Sequence, residues 1–221
     1  MRTGQAPRTR RGYRSPRRQQ QAAETRAAVL GAAVQLFGER GWAATGMREV
    51  ARAAGVSVET VYAGFGSKSD LLMAALDVAV VGDAEPVPLD QRPEFAALGS
   101  GTRQQRAMAA ARLVTAVHQR TSGVYLALRE AAASDTDLAR RLREGEERRR
   151  VSVEQGMSLV AGRAPTGEER DGLWAVLAVE VYQLLTELSG WTPQQYERWV
   201  AAVIDRLLDK APQQGAKGGG A

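Results

Sequence analysis

The chain has 221 residues, 44% of them hydrophobic, with a single histidine and no cysteine. That length suits one domain with a sizeable core, or a small domain joined to a larger one. The missing cysteine excludes disulfides, thiolate catalysis and cysteine-ligated metal sites, and no window approaches the ~18 uncharged apolar residues of a membrane span.

The net charge of +5 is unevenly spread. Residues 1–20 hold Arg2, Arg8, Arg10, Arg11, Arg14, Arg17 and Arg18 without an acid, leaving 23 bases against 25 acids in the remainder. An arginine-rich, disordered arm on a nearly neutral body is the usual footprint of a phosphate-binding tail. A solubilising tail and a misplaced start codon are the other readings. The arm has no apolar run of a secretory signal, so a cytoplasmic location is the default expectation.

From Gln20 to Lys210 the pattern predicts helices almost throughout, because alanine and leucine dominate and apolar residues recur three and four apart. The expected class is all-α. In chain order, Val29, Ala33, Leu36 and Phe37 form the first apolar face, ended by Gly38 and Gly41. The next helix, MREVARAA, sets Met47, Val50 and Ala54 on one face. Gly55 then permits the left-handed conformation that ends a helix, Val56 plugs the turn, and Ser57 caps a short second helix, VETVYAGF, stopped by Gly64 and Gly66. Two short helices joined by a glycine turn define a helix-turn-helix. The spacing Ala51-x3-Gly55-x5-Val61 supports it with a small residue at the crossing, glycine in the turn and an apolar anchor inside.

On the second helix Val58 and Val61 are expected inward, while Ser57, Glu59, Thr60, Tyr62 and Ala63 face out. Short outward side chains let a backbone approach the floor of a DNA major groove about 12 Å wide. Lys68 falls in the first turn of the following helix, where a base opposes the dipole, which suggests an external anion. A structural corner with a solvated lysine is the plainer reading.

From Thr25 to Leu76 the chain resembles the DNA-binding region of the TetR family of transcriptional regulators. The resemblance rests on Ala33, Leu36, Phe37, Gly41 and Trp42, then the A-x2-A-G-V-S centre, then V-Y-x2-F-x2-K and a double leucine. It implies a three-helix DNA-binding unit on a larger helical domain that dimerises and binds a small effector. It further implies phosphate contacts at Thr45 and at the helix start with Met47 and Arg48, a recognition helix over residues 57–63, and phosphate contacts by Tyr62 and Lys68. Glu59 departs from the family, many of whose members have glycine there. An acid accepts from cytosine N4 but repels phosphate, so Glu59 either reads a base or points away.

The expected organisation is an arm (1–20), a DNA-binding domain (21–80), a proline-rich linker (81–100) broken by Gly82 and three prolines, an effector-binding and dimerisation domain (101–210), and a glycine-rich disordered tail (211–221). Capping boxes are expected at Ser67 with Asp70, Thr166 with Glu169, and Thr192 with Gln195. Long helices over about 166–189 and 193–209 are, by the resemblance, the homodimer pair, and Leu173, Trp174, Leu177, Val181, Leu184, Leu185 and Leu188 exceed one core-facing stripe. Glu180 sits on that stripe and requires a partner such as Arg129 or Arg112, or an effector. Met108, Tyr125, Trp174 and Tyr182 are candidates for an apolar pocket. His118 is read as a satisfied core or surface histidine ahead of a ligand.

One histidine and the absence of G-x-S-x-G, Walker and H-E-x-x-H patterns argue against an enzyme, and no cofactor or metal is expected. The leading expectation is a dimeric repressor on a pseudo-palindromic double-stranded operator, released by a small apolar effector. A non-specific DNA-coating protein and an activator with the same head are the alternatives.

Overall fold

The computed structural model describes residues 16–208 apart from Pro86. Among them all regular structure is helical: α1 (Pro16–Arg40), α2 (Met47–Ala53), α3 (Val58–Phe65), α4 (Lys68–Val81), α5 (Pro93–Ala96), α6 (Arg103–Ala132), α7 (Thr136–Ala161), α8 (Gly167–Val176), α9 (Val179–Gln183) and α10 (Pro193–Leu208). The expected arm lies outside the described residues as far as position 15, and residues 16–20, assigned to it by composition, instead open α1. The expected tail over 211–221 also lies outside them. No described helix is long and apolar enough to cross a membrane.

Helix starts follow the capping signals. Thr166 and Glu169 close a reciprocal box, as do Thr192 and Gln195 through bonds of 2.7 and 3.2 Å. Ser67 makes only half of one: its Oγ accepts from the Asp70 N–H, while the Asp70 carboxylate takes the Ser67 hydroxyl at 2.6 Å.

Two hydrophobic cores share one axle. The first joins α1–α4 to Val124, Ala127, Leu128 and Ala131 of α6 and Leu138 of α7. The second gathers α10, α8 and the end of α7 around Ala107, Ala110 and Ala111 of α6. At ~1.5 Å per residue, the 30-residue α6 runs through both, and its small side chains let neighbours approach closely. The tightest approach is to α1. A Cβ on Gly123 would stand 2.6 Å from the Gly38 carbonyl oxygen and 2.7 Å from its Cα. Gly38 therefore does not end α1, as its composition suggested. It lies inside the helix and marks the crossing with α6.

Two further expectations change. The proline-rich stretch over 81–100 is a packed corner: Phe95 and Leu98 are buried in the second core, and Arg92 holds Asp83 through two bonds of 2.6 and 2.7 Å. The helix expected over 166–189 breaks after α8, with Ala178 extended at φ −77°, ψ 147°, and resumes as α9 and a π turn at Leu184–Leu188. Neither proline nor glycine lies at the break. The Arg149 guanidinium of α7 instead donates to the carbonyls of Trp174 (2.9 Å) and Leu177 (3.4 Å), taking acceptors that an unbroken helix would have used internally.

Candidate functional site

The site with the most local definition is the α2–α3 corner. Met47, Val50 and Ala51 of α2 and Val61 of α3 sink into the first core, which fixes the faces the two helices turn outward. Between them Gly55 adopts φ 68°, a region that would strain any side chain. Val56 is half-buried, and its N–H donates to Ala51 O at 3.0 Å. Ser57 Oγ accepts from the Thr60 N–H at 3.2 Å and lies 3.0 Å from the Thr60 hydroxyl. Ser57, Glu59, Thr60, Tyr62 and Ala63 are all exposed, whereas Val58 is half-buried. Tyr62 keeps 52% of its surface, and Glu59 bonds to no described residue.

Three residues assigned to phosphate contact by resemblance do not present their side chains. Thr45 is buried, with its hydroxyl donating to Leu36 O at 3.0 Å. Met47 is a core residue. Lys68 folds back over the Trp42 ring, 3.9 Å from its centroid, and donates to Trp42 O at 2.5 Å. Partial burial draws its pKa below the usual lysine value, against the opposing pull of Glu130 and Glu49. Glu130 belongs to α6, and its carboxylate accepts from the N–H groups of Trp42 (2.8 Å) and Ala43 (3.3 Å). Lys68 and Glu130 thus grip the turn between α1 and α2 from both sides.

Exposed bases lie on the neighbouring helices instead: Arg48 and Arg52 on α2, and Arg17 and Arg18 at the start of α1. Arg26 docks α1 onto the end of α3, 4.5 Å over the Phe65 ring and 3.4 Å from Gly64 O. Arg18, Gln21 and Thr25 consequently border the same cleft as Thr60. Composition marked Arg17 and Arg18 as basic; the length of α1 is what brings Arg18 to the cleft beside α3.

A second site is a cavity of about 400 Å³ enclosed by α4, α6 and α7, with walls that include Leu76, Val80, Leu113, Val114 and Val153. Its polar edge is a chain: the Tyr125 hydroxyl donates to Glu146 at 2.5 Å, Glu146 receives Arg149 at 2.8 and 3.0 Å, and Arg149 caps α8. Burial, with the adjoining Glu146, pushes the Tyr125 phenol well above the tyrosine range. His118 also lines the cavity and is buried, its Nδ1 3.1 Å from the Tyr196 hydroxyl. Desolvation and the Arg149 charge lower its pKa to about 4, so the ring is neutral at physiological pH.

Of Met108, Arg112, Tyr125, Arg129, Trp174, Glu180 and Tyr182, the residues weighed from sequence for the pocket or its charged contacts, only Tyr125 lines this cavity. Met108 and Tyr182 belong to the second core. Trp174 lies beneath the Arg149 and Arg150 guanidinium groups. Glu180 does pair with Arg129, at 2.5 Å, but both side chains stay well exposed, at 39% and 50%, so the buried carboxylate inferred from the apolar stripe is a surface ion pair. Arg112 faces Glu197 at 3.5 Å on the outside. His118 is the satisfied core histidine expected from sequence and also borders the cavity, whereas Asp77 and Arg141, on two other helices, have no spacing signal that links them to it.

Residues 29–75 match the family described as bacterial regulatory proteins, tetR family. Among curated proteins none matches the chain significantly. Solved structures share the fold at low identity. A Rhodococcus sp. protein assigned to the TetR-family transcriptional regulators superposes with a TM-score of 0.65 at 17% identity, over 84% of this chain and 99% of that one. A TetR family member from Streptomyces coelicolor A3 gives 0.58 at 22%, over 83% and 98%. NalD of Pseudomonas aeruginosa, the secondary repressor of the MexAB-OprM multidrug efflux pump, gives 0.55 at 20%, over 85% and 96%.

Proposed function

We propose that this chain, whose residues 29–75 match the bacterial regulatory proteins of the tetR family, is a dimeric repressor released from a pseudo-palindromic operator by a small, mostly apolar effector. The observation that carries the DNA-binding half is α3: a short helix anchored by Val61 that turns Ser57, Glu59, Thr60, Tyr62 and Ala63 outward. In this reading α3 enters the major groove, Tyr62, Arg48 and Arg52 meet phosphates, and the first turns of α1 carry Arg17 and Arg18 to the neighbouring backbone. Residues 1–15 add further phosphate contacts and steepen the salt dependence.

Dimerisation uses the C-terminal face. Leu184 and Leu188 are 54% and 79% exposed and Leu126 of α6 is 46% exposed; large apolar side chains left on the surface support a face that is covered on assembly. Two heads held by that face would meet successive half-sites about one helical turn apart. The effector occupies the cavity between α4, α6 and α7, and the repressor role of the structural neighbour NalD is consistent with release on binding.

In vitro selection of bound double-stranded DNA tests this reading. The expected product is a two-fold related motif with half-sites one turn apart, with a preference at one base pair per half-site that relaxes in Glu59→Ala by about 1–3 kcal/mol. Recovery of unenriched DNA would overturn specific recognition in favour of DNA coating.

A further inference from the structure

We propose that the cavity between α4, α6 and α7 takes an apolar molecule bearing one cationic nitrogen, with the Asp77 carboxylate of α4 as its counter-ion. The proposal rests on the reading of this cavity as the effector site and names the chemistry that site selects.

The walls supply the apolar half. At about 400 Å³ the space falls within the roughly 300–1,000 Å³ of small-molecule pockets, and most of its surface is aliphatic.

The polar half follows from an accounting of the charged groups on the rim. Glu146 is occupied by Tyr125 and Arg149. Arg141 is occupied by Asp70 at 2.8 Å and Asp137 at 2.7 Å. Arg149 is held by Glu146 and by the two carbonyls at the end of α8. Asp77 differs. It lines the cavity with exposed surface, yet among the described residues it receives no hydrogen bond and closes no ion pair. The one charge acting on it is that of Arg148, an exposed residue that also lines the cavity. The protein packed around Asp77 raises its carboxyl pKa, desolvation outweighing Arg148. A carboxylate in that position gains most from a ligand that brings its own positive charge. An anionic head would meet Asp77 and Glu146 with only Arg148 uncommitted, and a neutral molecule would leave Asp77 to water alone, with no attraction gained.

Calorimetric titration of the full chain with three probes of one chain length, decyltrimethylammonium, 1-decanol and decanoate, tests the assignment. The expected order is the ammonium at least tenfold tighter than the alcohol, with decanoate weakest. Asp77→Asn, nearly isosteric, should bring the ammonium down to the alcohol's affinity and leave the alcohol unchanged. Arg148→Gln, which removes the opposing cation, should tighten the ammonium several-fold. Equal binding of alcohol and ammonium, or an ammonium affinity indifferent to Asp77→Asn, would overturn the counter-ion role while leaving the cavity as a binding site. If none of the three probes binds below millimolar concentration, the effector reading of the cavity falls with it.

Discussion

Lys68 occupies a position where a lysine beside a helix start invites a phosphate, but its ammonium lies on Trp42 and donates to that residue's carbonyl. The test is Lys68→Ala. Its expected effect is a loss of about 1 kcal/mol in thermal or urea stability, the scale of a partly desolvated cation–π contact, with the slope of log DNA affinity against log salt unchanged. A slope reduced by about one unit would return Lys68 to the phosphate backbone. His118 invites a different measurement. Its pKa is about 4 in the folded chain and about 6.5 when unfolded. As pH falls, the unfolded state therefore takes up this proton first. The stability due to the neutral ring is complete above pH 6.5 and drains away between 6.5 and about 4, by on the order of 3 kcal/mol. Urea unfolding of the native chain at pH 7, 6 and 5 should show that decline, and His118→Phe should be less stable at pH 7 but flatter across the window. An identical decline in His118→Phe would place the proton uptake elsewhere.

Helices α1 and α6 cross at a point read off two glycines with opposite tolerance. Gly38 has open space where its Cβ would be, while a Cβ on Gly123 would strike the Gly38 backbone. Gly38→Ala is therefore expected to gain ~0.5–1 kcal/mol from helix propensity. Gly123→Ala should lose at least about 2 kcal/mol, since rigid backbone rather than a side-chain tip must give way. Chemical denaturation of both variants decides it, and equal effects would contradict the crossing. The pair also shows what sequence could convey about elements. The α2–turn–α3 unit was legible because every determinant lies within fifteen residues: the α2 anchors, Gly55 at φ 68°, the Ser57 cap and Val61. Gly38 reads as a stop in the sequence because its role is defined by a residue 85 positions away on α6. The break after α8 was equally invisible, since its cause is Arg149 on another helix taking the Trp174 and Leu177 carbonyls. Local chemistry is written in local sequence; tertiary competition for the same backbone groups is not.

At the scale of the whole molecule, the question is how a cavity could speak to α3. The cavity escaped the sequence because its rim is assembled from separate helices whose charged groups select one another only after packing; Glu180 pairs with Arg129 on the surface, while Asp77, on the cavity rim, closes no ion pair among the described residues. One of those rim groups also touches the head. Arg141 lines the cavity and reaches Asp70 at 2.8 Å, and Asp70 lies in the first turn of α4, bonded to the Ser67 cap that follows α3. A ligand that moves α7 relative to α4 must strain or break this bridge, and α3 is joined to α4 by only two residues. An effector acts on DNA affinity only through a difference in its contacts between two states, and Arg141 is the residue on which that difference would register. The variant Arg141→Ala is thus expected to bind operator within about threefold of the native chain, and to bind effector comparably. The effector-induced loss of DNA affinity should shrink by at least about fivefold, corresponding to the smaller end of typical coupling energies of roughly 1–3 kcal/mol. Fluorescence anisotropy of labelled operator, with and without the probe that binds best, measures all three quantities. If release persists undiminished in Arg141→Ala, the signal runs instead through the α6 side, where Glu130 holds Trp42 and Ala43, and Glu130→Gln becomes the variant in which it should fail.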